Sequence, residues 1–312
     1  MPLLRLILAR LVQALPVLLG VSLVTFVLMA ASPGDPVRLL VGDRATPEII
    51  AVIRERYGLD EPILTRYLVY LKNLLQGDMG ASLRYRVPVT ELIASHYPVT
   101  LFLVLYTIVL SLPPVVALAV VSARNQGGLA DQAIRLLGVL GLAVPVFWLA
   151  LLLSRFFGVT LKWFPVSGFG DTPLEHLHHL FLPALSTAIW VVPILVRNLR
   201  AALLDEMGRD YVTTGLSKGL GRRAVFRAHV FPNSLLPTVN LFGIIVAYLL
   251  GGSVIVESVY AVPGMGKLMV ESILARDYYV VQGATLVFAL TTILVMLATD
   301  LIAARLDPRV SA

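Results

Sequence analysis

Long apolar blocks separated by short polar segments run through this chain from end to end. Six stretches carry no charge and approach the length of about 20 helical residues that crosses a hydrocarbon core about 30 Å thick. They are residues 11–31, 99–121, 136–154, 180–196, 235–256 and 280–299. This pattern predicts an all-α membrane protein with six transmembrane helices, which places both chain ends on the same side of the membrane.

Proline and glycine interrupt several of these stretches. The fourth stretch is the shortest and contains Pro183 and Pro193, so it is expected to be kinked or broken. Further candidate bending points are Pro113 with Pro114, Pro145, Pro193 itself, and Gly251 with Gly252. Such points serve either an alternating-access motion or ordinary helix packing, and the sequence leaves both interpretations open.

Composition supports the membrane assignment. Hydrophobic residues make up 58% of the chain and charged residues 14%, whereas soluble domains have roughly 45–50% apolar and about 25% charged residues. The formal net charge of +6 comes from basic residues that flank the apolar blocks, which indicates membrane orientation rather than a nucleic-acid surface. The absence of cysteine excludes disulfides, thiolate metal sites and a cysteine nucleophile.

The distribution of lysine and arginine predicts the orientation. With the N-terminus inside, the inner segments carry thirteen basic residues, seven of them between Arg197 and Arg227. The two short outer loops carry only Lys162, Lys267 and Arg276. Because basic residues are retained on the cytoplasmic side of short loops, both termini are expected in the cytoplasm. The first apolar run exceeds the usual signal-peptide core of about 7 to 15 residues, which favours an uncleaved anchor.

The long outer loop after the first stretch contains helix start and stop signals. Thr46 predicts the cap of a helix that ends at Gly58, and Asp60 predicts the cap of a second helix that ends at Gly77. A shorter amphipathic helix is expected over residues 89–97, ahead of the second span. This small domain either stiffens the outer face or docks an external partner.

A polar, basic segment between the fourth and fifth stretches is the most informative part of the chain. Residues 199–207 are expected to extend the fourth span, Gly208 to permit a bend, and residues 211–220 to form a second short helix. Arg222, Arg223 and Arg227 then cluster before the fifth span. The segment reads either as an interfacial helix held by anionic lipid headgroups or as a coupling helix that docks a cytoplasmic motor.

This segment resembles the cytoplasmic motif of bacterial ABC importer permeases, which is E-A-A, three residues, G, nine residues and I-x-L-P. Thr213, Thr214 and Gly215 stand at the E-A-A positions, and Gly219 and Pro232 match the motif. The chain also resembles the dipeptide, oligopeptide and nickel branch of these permeases along nearly its whole length. The resembling segments are 15–36, 46–83, 182–185, 251–284 and 306–310.

The resemblance implies a type I ABC importer permease fold and a non-catalytic subunit of the bacterial inner membrane. Its implied partners are a second homologous permease, two ATP-binding subunits and an extracytoplasmic solute-binding protein, and ATP and Mg are bound by the partner subunits rather than by this chain. The resemblance also implies that a set of residues in the inner segment contacts the ATP-binding subunits. They are Asp210, Tyr211, Thr213, Thr214, Gly215, Lys218, Gly219, Arg222 and Arg223.

On these boundaries the chain divides into three parts. Residues 1–98 hold the first span and the outer loop, residues 99–305 hold the five-helix permease core with its coupling loop at 197–234, and residues 306–312 form a tail. Ser111, Trp148, Asn240 and Ser253 are the candidates for lining the translocation pathway, because polar or interfacial side chains are unfavourable against lipid. Each could equally bond to a neighbouring helix.

Several other groups suggest chemistry. Glu257 and Asp300 lie near span ends, where they are expected to be solvated or paired, with another span supplying the partner of Asp300. His176, His178 and His179 could hold a divalent metal, but interfacial histidines without a ligand role are the favoured interpretation.

The segment around Gly264–Lys267 resembles a phosphate loop but has neither its first glycine nor its Ser/Thr, so a tight turn is expected there. A membrane-embedded enzyme is disfavoured because no nucleophile–base pair, intraspan aspartate pair or H-E-x-x-H motif is present. A secondary carrier is also disfavoured, because no ion site lies mid-span. The cargo stays open among dipeptides, longer peptides, glutathione and nickel chelates.

Overall fold

The computed structural model describes residues 2–31 and 60–306, with 46, 48, 51, 52 and 54, and gives side chains from residue 7 onward. Regular structure in this part of the chain is helical. The helices are α1 (Pro2–Ala31), α2 (Ile63–Leu75), α3 (Val89–Arg124), α4 (Leu129–Ala143), α5 (Val146–Leu153), α6 (Pro173–Met207), α7 (Asp210–Ser217), α8 (Arg222–Val225), α9 (Phe231–Val259), α10 (Met265–Leu274) and α11 (Tyr278–Leu306). Two π-helical segments, Ser154–Thr160 and Phe226–Val230, follow α5 and α8.

Five of the described helical segments are long and apolar enough to cross a membrane. They are Ile7–Ala31, Val89–Arg124, Pro173–Met207, Arg222–Val259 and Tyr278–Leu306. The pair formed by Leu129–Ala143 and Val146–Thr160 passes the same criteria together but is bent by 96°. If the bent pair counts as one span, the described residues contain the six spans that the sequence predicts.

The break lies in the third span, at Pro145, which is one of the bending points expected from the sequence, and the expectation of a break in the fourth span was wrong. α4 ends at Ala143, and Val144 and Pro145 are extended before α5 begins. α6 continues as a single helix through Pro183 and Pro193. Residues that precede a proline avoid the α region, which accounts for the break at Val144.

Close packing against α4 explains why α6 tolerates Pro193. A proline removes the hydrogen bond to the carbonyl four residues earlier, which is that of Ile189. A Cβ at Gly141 would lie 3.4 Å from this oxygen, and one at Gly138 would lie 3.4 Å from the Pro193 ring. The two glycines therefore bring α4 onto α6 and cover the freed carbonyl, as small residues do at helix contacts in membranes.

The expected short helix over residues 89–97 is also corrected. It is the first part of α3, which runs without interruption through Pro98, Pro113 and Pro114. A helix satisfies its own backbone in a nonpolar environment, so continuing the helix costs less than exposing several peptide groups at a break.

In the outer loop, the second predicted helix forms as α2, with Pro62 at its N-cap instead of Asp60, and Gly77 follows it with φ +81°. The first predicted helix, from Thr46 to Gly58, lies largely outside the described residues.

α3, α6 and α9 form the centre of the bundle. Leu103, Leu195, Leu199, Leu203 and Leu250 are almost completely buried among them. α1 packs against α11, where Arg10 Nε lies 2.7 Å from Asp300 Oδ2. A partner for Asp300 from another span is what the sequence predicted.

At the opposite end of the bundle from this ion pair, residues 76–88 are fastened to the turn between α10 and α11. The Ser82 hydroxyl donates to Asp277 Oδ2 at 2.5 Å, and the Arg84 backbone N–H donates to the same oxygen at 3.1 Å. The Tyr85 hydroxyl donates to Glu271 Oε2 at 3.0 Å. Asp277 is fully buried, and its Oδ2 accepts from both Ser82 and Arg84, which joins residues 76–88 to this end of the bundle.

Candidate functional site

The connection between α6 and α9, residues 208–230, presents an exposed helix at the end of the bundle. α6 continues past its apolar stretch to Met207, Gly208 caps it, and α7 begins at Asp210. Gly219 has φ +84°, which ends α7 in the left-handed conformation that glycine adopts without strain. The helix, bend and terminating glycine predicted from the sequence are all present.

The nine predicted coupling residues lie on α7, on α8 and in the turn between these two helices. All of them are exposed except Gly215, which is half-buried. The exposed members are Asp210, Tyr211, Thr213, Thr214, Lys218, Gly219, Arg222 and Arg223. We call the surface formed by these nine residues the α7 surface.

Contacts on the inner side of α7 hold this surface in place. A Cβ at Gly215 would lie 3.4 Å from the Val225 side chain, so α7 and α8 approach closely at that glycine. The Tyr211 hydroxyl donates to Glu206 at the end of α6, and the Asn233 amide donates to the Tyr211 oxygen at 3.4 Å. Burial and the hydrogen bond to Glu206 raise the pKa of Tyr211, so the phenol stays a neutral donor at physiological pH.

The part of the α7 surface that lies on α8 is basic. Arg222 and Arg223 are exposed, and neither forms an ion pair with a carboxylate of the described residues. The Arg124 guanidinium lies 4.5 Å from the centre of the Phe226 ring, which adds a third positive charge nearby. Unpaired cations on an exposed helix suit an acidic groove on a partner protein.

An open pocket of about 950 Å³ lies beside α7. Its walls include Ala123 of α3, Leu204 and Met207 of α6, Val212 of α7 and Phe226. The side of α7 that carries Val212 therefore borders this pocket.

A buried ion pair ties α3, α4 and α6 together before the exposed connection begins. Asp131, only 1% exposed, accepts from Arg200 Nε at 2.8 Å and Nη2 at 2.7 Å. The Ser122 hydroxyl donates to it at 2.5 Å, and the Gly127 N–H at 3.0 Å. Sequence reasoning missed this cluster, although a lone carboxylate at the start of an apolar helix and an arginine on the next span were its signals.

The four candidate pathway residues are placed in two kinds of environment. Ser111 and Ser253 are buried, and their hydroxyls donate to carbonyls of their own helices, Thr107 at 2.7 Å and Leu250 at 3.2 Å. Trp148 and Asn240 are exposed. None of the four lines the 980 Å³ groove between α3, α4 and α6, whose walls include Pro113, Pro114 and Pro193. Their role in a pathway stays a prediction.

The three histidines before the fourth apolar stretch are engaged with backbone carbonyls. His176 Nδ1 lies 2.9 Å from the Phe169 oxygen, His178 Nε2 lies 2.8 Å from that of Trp163, and His179 Nδ1 lies 2.9 Å from that of Ser167. They fasten the preceding loop to α6. Across the described residues no group of three or more His, Cys, Asp or Glu is arranged to hold a metal ion.

Contrary to the expectation from the sequence, Glu257 is neither solvated nor paired with an arginine. It is fully buried, the Thr100 hydroxyl donates to Oε1 at 2.7 Å, and the Lys267 N–H donates to Oε2 at 3.0 Å. Gly264 and Gly266 lie so close to it that a Cβ at either would meet the carboxylate within 3 Å. The phosphate-loop lookalike is thus a turn that begins α10, and its N-terminus is occupied by the chain's own carboxylate.

Several helical segments long and apolar enough to cross a membrane, with an exposed polar helix between two of them, indicate a multi-pass membrane protein. Comparison with protein families identifies its class. Residues 115–312 match the family described as binding-protein-dependent transport system inner membrane component, and residues 3–104 match the N-terminal part described for the same membrane components. The chain belongs to this family and is a component of such a transport system in the inner membrane.

Curated relatives cover almost the entire chain. A putative peptide transport system permease of Brucella suis is 40% identical over 308 residues, which are 98% of each chain. The oligopeptide permease AppB of Bacillus subtilis is 36% identical, and the glutathione permease GsiC of Salmonella choleraesuis is 34% identical. Each of these two alignments covers 97% of this chain and 98% of the relative.

Proposed function

We propose that this chain forms half of the translocation pathway of an ATP-driven importer for dipeptides, oligopeptides or a related small solute. A second homologous permease supplies the other half, two ATP-binding subunits hydrolyse ATP, and an extracytoplasmic solute-binding protein delivers the cargo. Both termini and the α7 surface face the cytoplasm, in keeping with the excess of arginine and lysine at that end.

The single observation that carries the proposal is the construction of the α7 surface. Its polar residues face outward, while Tyr211 and Gly215 fix the helix to α6 and α8. Arg200 connects α6 to α3 and α4 through Asp131. A push on α7 by an attached ATPase would therefore be passed to three spans at once, as alternating access requires.

Peptide cargo is supported by the relatives, whose names cite peptides, oligopeptides and glutathione. The nickel alternative came from the resemblance to the peptide and nickel branch, with His176, His178 and His179 as possible ligands. Each of these three histidines is engaged with a carbonyl oxygen. Nothing in the described residues favours a metal cargo over a peptide.

Charge reversal on the α7 surface tests the proposal. We expect R222E/R223E to uncouple the transporter, because the partner's groove would meet two negative charges in place of two positive ones. The permease should still insert in the membrane, while peptide uptake driven by ATP falls at least tenfold, which corresponds to about 1.4 kcal/mol. The measurement is uptake of labelled peptide into proteoliposomes, alongside ATP hydrolysis.

The matched control is Lys162→Glu, a charge reversal at an exposed residue of the loop between α5 and α6. It should leave uptake and ATP hydrolysis unchanged. Unaltered uptake in R222E/R223E would show that the α7 surface does not couple ATP hydrolysis to transport.

A further inference from the structure

α9 exposes a single narrow face along most of its length. From Asn240 to the end of the helix at Val259, each exposed residue follows the previous one by three or four positions, and the residues between them are buried or half-buried. Residues at this spacing lie on one side of a helix, so they form one row. We call it the α9 row, and its members are Asn240, Ile244, Tyr248, Gly251, Ile255 and Ser258.

Two polar side chains of the α9 row form no hydrogen bond with another described residue. They are the Asn240 amide and the Tyr248 hydroxyl. Both belong to the charge-free stretch 231–256 of a helix that is long and apolar enough to cross a membrane. An amide or hydroxyl without a partner is unfavourable against lipid acyl chains, so these two groups need water, a polar ligand or another protein beside them.

The exposed faces of two other spans have a different character. Leu15 and Leu19 of α1 are 62% and 50% exposed, and Leu105 and Val109 of α3 are 53% and 65% exposed. Aliphatic side chains of this kind are suited to contact with acyl chains. The α9 row places an amide, a phenol and a glycine among its isoleucines, so its composition favours a more polar neighbour than lipid.

The Tyr248 ring is held in place by α6. It stacks on the Trp190 ring, with the ring centres 5.2 Å apart and the planes 26° from parallel. A Cβ at Gly252 would lie 3.3 Å from Cε1 of Tyr248, so the glycine leaves room for the ring in this position. Tyr248 is still 59% exposed. The pair therefore presents a fixed aromatic surface with a hydroxyl at its edge.

These groups match the chemistry of a peptide backbone. The Asn240 amide and the Tyr248 hydroxyl can each donate and accept a hydrogen bond, as the N–H and C=O groups of a peptide require. The two residues are eight positions apart, which is about 12 Å along the helix. An extended peptide advances about 3.3–3.6 Å per residue, so three or four of its residues span that distance. Since the members of the row carry no charge, they suit the backbone shared by all peptides rather than one charged side chain.

We propose that the α9 row and Trp190 bind the transported peptide as it passes this chain. Asn240 and Tyr248 hydrogen-bond to the peptide backbone, and the Trp190–Tyr248 pair packs against its planar amides and apolar side chains. The inference rests on the proposed function, because it names the place on this chain where the cargo of that importer is held.

Single cysteines test the inference, because the chain contains no cysteine of its own. Ile244→Cys and Gly251→Cys place a thiol four residues before and three residues after Tyr248, and they leave Asn240, Trp190 and Tyr248 intact. The matched control is Val109→Cys on α3, where the valine is 65% exposed, compared with 54% for Ile244. Complete complexes in proteoliposomes receive a tripeptide that carries a thiopyridyl disulfide, and the mixed disulfide formed on this chain is measured.

The expected result is attachment of the tripeptide at residues 244 and 251, loss of attachment when ATP or the solute-binding protein is omitted, and none at residue 109. Uptake of unmodified peptide without attachment at either row position would overturn the inference and leave the importer function standing. If a small water-soluble maleimide cannot reach residue 244 in the complete complex, lipid or the second permease covers the row, which also overturns the inference. Failure of the unsubstituted complex to take up peptide would instead reject the proposed function itself, and the inference with it.

Discussion

Individual residues decide where the polar groups of this chain can be tolerated. Gly219 illustrates what sequence pattern can predict: a glycine after a short polar helix favours a left-handed termination, and the structure has it. Glu257 shows the limit of such reasoning. One partner, Thr100, lies 157 residues earlier in the chain. The other, the N–H of Lys267, is positioned by the turn that begins α10. No local pattern reveals that a span-end carboxylate will be buried.

Substitution of the two glycines after α7 separates backbone strain from crowding. A Cβ at either Gly219 or Gly221 meets nothing within 4 Å, but Gly219 has φ +84° whereas Gly221 has φ −64°. Gly219→Ala should therefore destabilise the end of α7 by about 1 kcal/mol, and Gly221→Ala should not. The measurement is hydrogen exchange of the α7 amides in the purified complex. Exchange should be roughly fivefold faster in Gly219→Ala and unchanged in Gly221→Ala. Equal exchange in both variants would contradict the assignment of Gly219 as the helix terminator.

At the scale of elements, hydrophobic block length predicted the spans well but proline content misplaced the break. Pro145 interrupts the third span, while Pro193 lies inside an unbroken α6. The difference depends on Gly138 and Gly141 of a neighbouring helix, which pack onto Pro193 and the carbonyl that it frees. A sequence read one helix at a time cannot supply that information, because helix pairing determines whether a freed carbonyl is covered.

Two glycines within α9 test the helix contacts. A Cβ at Gly243 would overlap the Thr299 side chain of α11, whereas one at Gly251 meets nothing within 4 Å. We expect Gly243→Ala to separate α9 from α11 and to cost about 1–3 kcal/mol through overpacking. Gly251→Ala should cost much less. The thermal unfolding midpoint of the purified permease in detergent is the measurement, and a similar midpoint for both variants would mean that α9 and α11 do not pack as described.

At the scale of the whole molecule, the two ends of the bundle are built differently. The end that contains Asp277 and Glu257 has two buried carboxyl groups, each of which accepts two hydrogen bonds. The α7 surface at the other end is exposed and borders an open pocket of about 950 Å³. One end thus contains buried carboxylates, while the other presents an outward-facing helix. Such asymmetry suits a permease that receives force from an attached ATPase at one end.

The most direct test of the account is uptake of labelled peptide into proteoliposomes by the complete complex and by this chain alone. The account predicts accumulation only when the second permease, the ATP-binding subunits and the solute-binding protein are present and ATP is supplied on the side of the α7 surface. Accumulation of peptide against its gradient by the chain alone would contradict it, because the spans would then need no force delivered through α7.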